Sequence, residues 1–128
     1  MSDKKKYELE FIVKTSPKLL YPRLSTPSGL AEWFADDVNL KKDLYIFSWG
    51  GSEEEARVLT KKNDHYIKFQ WVEDEDTDCY FEFRINVDPM TGEVALLVTD
   101  YCEEGDQEEA TQLWESQIAE LKHNLGLV

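Results

Sequence analysis

No stretch of this chain approaches the roughly 20 consecutive apolar residues that a membrane-crossing helix requires, so a helical membrane span is excluded. Cysteine and histidine are scarce: Cys79, Cys102, His65 and His123 are all there are. Neither cysteine has a CxxC partner, and no ligand spacing for a metal appears. Two thiols without a disulfide pattern fit a reducing compartment. The N-terminal stretch MSDKKKYELEF carries lysines but no apolar core of a secretory signal, so a cytoplasmic protein is expected. Positive charge is also short. Fourteen Lys and Arg face 27 Asp and Glu, leaving a net charge of −13, and Lys4 to Lys6 form the only basic cluster. Such a surface repels phosphate backbones and anionic lipid, so no nucleic-acid partner is expected.

Catalytic and cofactor motifs are missing as well. There is no nucleophile elbow, no phosphate-cradling glycine loop and no dinucleotide fingerprint, so no cofactor is expected. The acidic run EDEDTD, residues 73–78, alternates Asp74, Asp76 and Asp78 in the manner of a calcium loop. An EF-hand loop starting at Asp74 needs glycine sixth and glutamate twelfth, where this chain has Cys79 and Ile85. A solvated turn between strands is the better reading.

What remains is ample material for one ordered globule. The 128 residues are 41% hydrophobic and 12% aromatic, with no repeat, linker or composition break, so a single domain over residues 1–128 is expected. YELEFIVKT, residues 7–15, alternates with Tyr7, Leu9, Phe11 and Val13 on one side, which is a strand. Ser16 followed by Pro17, and Thr26 followed by Pro27, each start a helix, and Pro22 forbids one long regular helix. Two short helices are expected there.

Strand patterns then dominate to residue 101. Gly50-Gly51, KKND and DPMTG punctuate consecutive antiparallel strands. Placing Asp88 opposite Glu93 sets Val87 against Val94, Ile85 against Leu96, Phe83 against Val98 and Phe81 against Asp100. Placing Thr60 opposite His65 sets Val58 against Ile67 and Ala56 against Phe69. One face then collects Phe47, Trp49, Phe69, Trp71, Phe83, Leu96 and Val98, while Lys68, Gln70, Glu82 and Arg84 point the other way. An apolar face needs a cover. The last segment offers one: Asp106 as N-cap with Glu109 three residues on, then Ala110, Leu113, Trp114, Ile118, Leu121 and Leu125 at helical spacing, ended by Gly126.

Strand, two short helices, a meander and a long C-terminal helix: this order resembles the helix-grip fold of START domains and the birch pollen allergen. Within it the chain is similar to small bacterial homologues of the activator of the ninety-kilodalton heat-shock ATPase. The stretches FIVKTSPKLLYPRLSTPSGLAEWFAD, GG…ARV…IKFQW and WESQIAELKHNLG carry that resemblance. It implies an α+β fold with a curved antiparallel sheet wrapped around the C-terminal helix. It also implies a void between sheet and helix, walled here by Trp49, Phe69, Trp71, Phe83, Leu96, Val98, Leu113 and Gln117, with Asp100 towards one end. The bulky side chains would make that void small or fill it.

Trp33 and Phe34 would plug the place where the short helices meet the sheet edge. Core packing is the favoured role for this pair, and a gate at the cavity mouth is the alternative. Asp100 is a carboxylate on an apolar face; a place past the covered part of the sheet, or a cap for a nearby backbone or a Trp indole, is favoured over a binding role. Asp100 and Gln117 on facing walls could still orient one polar group of a ligand. Three functions stay open: a binder of hydrophobic, lipid-like or aromatic small molecules, an adaptor with a protein partner, and a cyclase- or aromatase-type enzyme. The missing acid–base set counts against the last.

Overall fold

A computed structural model describes residues 4–127; the first three residues of the lysine-bearing N-terminal stretch, and Val128, lie outside it. The first strand, β1 (Lys5–Ile12), leads into α1 (Pro17–Ser25) and α2 (Pro27–Leu30). Both helices start at the expected caps. The Ser16 hydroxyl accepts from the Leu19 N–H at 3.3 Å, and the Thr26 hydroxyl accepts from the Gly29 N–H at 3.0 Å. Pro22 sits inside α1, and the chain leaves that helix three residues later.

Six more strands follow: β2 (Asp37–Lys41), β3 (Leu44–Trp49), β4 (Ser52–Lys62), β5 (Tyr66–Trp71), β6 (Phe81–Val87) and β7 (Val94–Cys102). A C-terminal helix, α3 (Gln107–Asn124), ends the chain. The strands form one antiparallel sheet in the order β1-β7-β6-β5-β4-β3-β2. This is the α+β helix-grip arrangement. The β6–β7 register is the expected one, from Val87 opposite Val94 through Phe83 opposite Val98. Gly50 and Gly51, with φ of 52° and 93°, make the tight β3–β4 turn that β-carbons would strain.

Three details differ from expectation. β2 is a strand that the pattern does not announce, because it is short, lies at the sheet edge and leaves Leu40 exposed. In the β4–β5 hairpin Val58 lies opposite Phe69 and Ala56 opposite Trp71, two residues from the expected pairing. The strands run on to Lys62 and Tyr66 around Asp64, whose φ is 63°, and an irregularity between Val58 and Thr60 absorbs the offset. That even shift keeps Ala56 and Val58 on their expected face, whereas beyond the irregularity the shift is three, Thr60 lies opposite Lys68, and Lys61 instead of Thr60 shares the side of Ile67. Finally, α3 starts where expected but the Asp106 side chain caps nothing. Its ψ of 1° departs from the extended conformation that aims a cap side chain at the first turn. Glu108 and Glu109 in that turn complement the helix dipole instead.

The core lies between the concave sheet face and the three helices. Phe47, Phe69, Phe81, Phe83, Ile67 and Leu96 come from the sheet; Leu20, Leu24, Ile118 and Leu121 come from the helices, all with almost no exposed surface. Aromatic rings fill the space: Phe69 stacks on Phe81 at 4.9 Å, and Phe47 meets Trp71 edge-on at 5.5 Å. No helix among the described residues is long and apolar enough to cross a membrane.

Candidate functional site

The concave side is filled except at one end. There, where β1 begins and β3, β5 and β7 end, α3 stands away from the sheet and leaves an open groove of about 420 Å³. Its walls come from all sides: Tyr7 from β1, Phe34 after α2, Trp49 from β3, Trp71 from β5, and Leu113 and Trp114 from α3. Larger clefts exist, including one of about 500 Å³ between the end of β1 and the β6–β7 turn, but it has no aromatic wall.

The expected wall residues divide in two. Trp49, Trp71, Asp100, Leu113 and Gln117 line this groove. Phe69, Phe83, Leu96 and Val98 do not; each has no exposed surface and belongs to the packed core behind it. Their neighbours explain why. Phe83 is enclosed by the rings of Trp33, Phe34 and Trp114 at 5.5 to 5.9 Å, and Val98 is paired on both sides, with Phe83 and Leu9. Leu113 is the opposite case. It belongs to the apolar stripe of α3 by spacing, yet 61% of its surface is exposed, because it overhangs the groove rather than the sheet.

Trp33 and Phe34 are both buried. The Trp33 indole donates to the Arg23 carbonyl of α1 at 2.7 Å, tying the helix pair together, and does not line the groove. Phe34 forms the inner wall. Its ring packs against Phe47, Trp49, Phe81, Phe83 and Trp114 at 5.2 to 5.9 Å. Its carbonyl is a fixed point for two groove residues: the Trp49 indole donates to it at 2.8 Å and the Gln117 amide at 3.2 Å. Gln117 is thereby anchored to the floor instead of reaching across to Asp100.

Asp100 is half-buried at the inner end. The Trp114 indole donates to its Oδ2 at 3.1 Å and to the Tyr7 hydroxyl at 3.0 Å. The Tyr7 hydroxyl in turn donates to the same Oδ2 at 3.3 Å, and the Tyr101 N–H donates to Oδ1 at 2.8 Å. The carboxyl thus receives both a backbone donor and a Trp indole. Burial pushes its pKa above the ordinary range; the donors from Tyr101, Trp114 and Tyr7, and the charge of Lys4, pull the other way. Tyr7 is raised too, chiefly by burial and then by the charge of Asp100.

The sign for stability follows. A carboxyl with a raised folded pKa holds its proton more tightly folded than unfolded. Its contribution is complete below the unfolded value of about 4 and is lost as pH rises through the raised folded value. Asp100→Asn, neutral throughout, is expected to flatten the decline in melting temperature across that window. Melting curves of both proteins from pH 4 to pH 7 check this, and parallel profiles would contradict it.

Glu54 is a groove residue that the sequence reading passes over. Carrying the Gly50-Gly51 pairing two residues past Trp49 opposite Ser52 puts Glu54 opposite Phe47, on the concave face. It stands exposed at the lip. Partial burial, with the charges of Glu73 and Asp74, raises its pKa, against the charge of Lys4. Tyr7, Tyr101, Ala110 and Trp114 are the other additions; alternation puts Tyr7 on the inner strand face, and helical spacing puts Ala110 and Trp114 on the apolar stripe of α3, but neither pattern assigns them to a groove.

Cys79 is buried, Cys102 is half-buried, and no disulfide joins them. No group of three or more His, Cys, Asp or Glu among the described residues could hold a metal ion.

Comparison with solved structures extends the architecture beyond this chain. A Bacteroides fragilis protein solved by solution NMR is 32% identical, with 99% of this chain and 95% of that one covered at a TM-score of 0.70. The Aha1 dimer from Colwellia psychrerythraea is 16% identical, covering 92% and 93% at a TM-score of 0.75. Protein MLL2253 from Mesorhizobium loti, also 16% identical, covers 95% and 97% at 0.77. At 16% these last two likenesses speak for the fold alone. No curated protein matches the chain in sequence. The family model described as START-like superfamily domain matches residues 1–127, so a curved sheet gripping one long helix here has a family to go with it: the chain belongs to the START-like superfamily.

Proposed function

We propose that this chain is a single helix-grip domain that binds a small, largely apolar molecule in the groove between α3 and the open end of the sheet. The observation that carries this reading is the contrast within the concave side. Most of it is filled by close-packed rings, yet one end stays open and is walled by Trp49, Trp71, Phe34, Trp114 and the exposed Leu113. Exposing large apolar side chains together around a concavity is what a ligand site needs and what a merely folded protein avoids. A volume of about 420 Å³ falls in the range of small-molecule sites. The ligand is flat or slender, aromatic or isoprenoid-like, and carries one polar group for the Asp100 end. The one hydroxyl–carboxylate pair in the groove, Tyr7 and Asp100, is held by the Trp114 indole, and this reading takes binding rather than turnover as the activity.

Thermal melting against a panel of such compounds tests the proposal, together with native mass spectrometry of freshly purified protein. A binder raises the melting temperature of the wild type. Leu113→Glu puts a charge on the lip without touching the core, so the unliganded melting point should hardly move, while the ligand-induced rise should vanish. If no compound shifts the wild type and no small molecule co-purifies, the groove is not a container, and a protein-partner role takes its place.

A further inference from the structure

The groove's polar equipment is one-sided. Two of its lining residues are ionisable acids, Asp100 at the inner end and Glu54 at the lip, and none is Lys, Arg or His. Lys4 is the nearest cation by its effect on both carboxyls, but it does not line the groove, and its ammonium lies 3.5 Å from the Asp74 carboxylate. The Trp49 and Trp71 rings, 6.1 Å apart, line the same groove as the two acids, and the Tyr7 hydroxyl stands beside Asp100.

Each feature favours the same head group. An anionic head, such as a fatty-acid carboxylate, would bring a third negative charge into a partly desolvated space that already holds two acids. A neutral hydroxyl head can donate a hydrogen bond to either but gains no ion pair. A protonated amine is attracted by both carboxylates and by the faces of the indole rings, which draw cations most strongly among the aromatics. The −13 net charge of the chain adds long-range attraction for a cation and repulsion for an anion.

We infer that the groove selects amphiphilic cations: molecules with an aromatic or aliphatic body and an ammonium head seated between Glu54, Asp100 and the Trp49–Trp71 pair. This rests on the groove being a ligand site and narrows what it takes. Burial that raises the Asp100 pKa agrees with it, since a cation beside that carboxyl compensates the charge that burial disfavours.

The test uses three probes of one shape at pH 7: 4-phenylbutylamine, 4-phenylbutanol and 4-phenylbutanoate. Affinities are read from titration of the Trp49 and Trp71 indole N–H signals in the full chain. The amine should bind about tenfold tighter than the alcohol, and the carboxylate more weakly than the alcohol. Glu54→Gln changes an exposed side chain, so the fold is retained; it should remove most of the amine's advantage over the alcohol. Equal affinity for amine and alcohol, or tightest binding by the carboxylate, overturns the charge selectivity while the container stands. An equal effect of Glu54→Gln on amine and alcohol overturns it too. If none of the three perturbs either indole, the inference falls together with the reading beneath it.

Discussion

Trp114→Ala is expected to cost about 3 to 5 kcal/mol of folding stability, the usual range for a large aromatic removed from a core. Three losses combine. The indole stacks on Phe34 at 5.8 Å and meets Phe83 edge-on at the same distance, so truncation opens a void between helix and sheet. Its N–H donates to both Tyr7 and Asp100, so a half-buried carboxyl loses a donor. And α3 covers the sheet through only three fully buried side chains, Trp114, Ile118 and Leu121, of which Trp114 is the largest. Urea unfolding followed by far-ultraviolet circular dichroism measures the effect. Trp114→Phe separates the parts. It keeps a smaller ring against Phe34 and Phe83 and loses the donor, so its cost should be clearly smaller, with the Asp100 pKa driven further up. A loss below about 1 kcal/mol for the alanine variant would mean that α3 does not hold the sheet face closed.

Phe34→Ala should be comparably damaging, again about 3 to 5 kcal/mol, and it decides between packing and gating. Both roles were open for an aromatic at the end of a short helix. The buried ring touches five other aromatic rings besides its neighbour Trp33, and its own position is fixed by that enclosure. The hydrogen bonds from Trp49 and Gln117 go to the Phe34 carbonyl, and alanine retains that acceptor. Any loss therefore belongs to the side chain. A gate would show the reverse signature: stability near that of the wild type, with faster ligand exchange. Chemical denaturation and ligand off-rates on the same variant distinguish the two.

Both variants touch the place where near and distant parts of the chain meet, and there the limits of the sequence pattern are plain. Side-chain alternation set the faces of β1, β3, β5, β6 and β7 correctly, and in β4 it held for Ala56 and Val58, where the register error is two residues, but not from Thr60 on, where it is three and an odd shift reverses the face. The proline and hydroxyl caps located α1 and α2 because a cap acts on N–H groups within three residues of itself. The same parity reaches Glu54 through the Gly50-Gly51 turn, so one missed groove residue was legible. By contrast β2 was not, since two alternating apolar residues, Val38 and Leu40, in a five-residue edge strand are too few to set a period.

The sequence by itself, then, determined the order of most elements, the sides on which most side chains fall and the place of the Asp100 carboxylate on an apolar face, all through interactions between near neighbours or across short turns. Only the tertiary structure decided what Asp100 meets. The pairing of β1 with β7 brings Tyr7 beside it from 93 residues away, and docking of α3 brings the Trp114 indole to both. It also decided which apolar residues are wall and which are core. Leu113 and Trp114 are adjacent in one stripe and equal by periodicity, yet one is exposed and the other buried. Helical spacing fixes the face a side chain shares, but whether a strand lies opposite depends on where a curved sheet ends beneath the helix. That end is where the groove opens, because the strands run out there before the helix does.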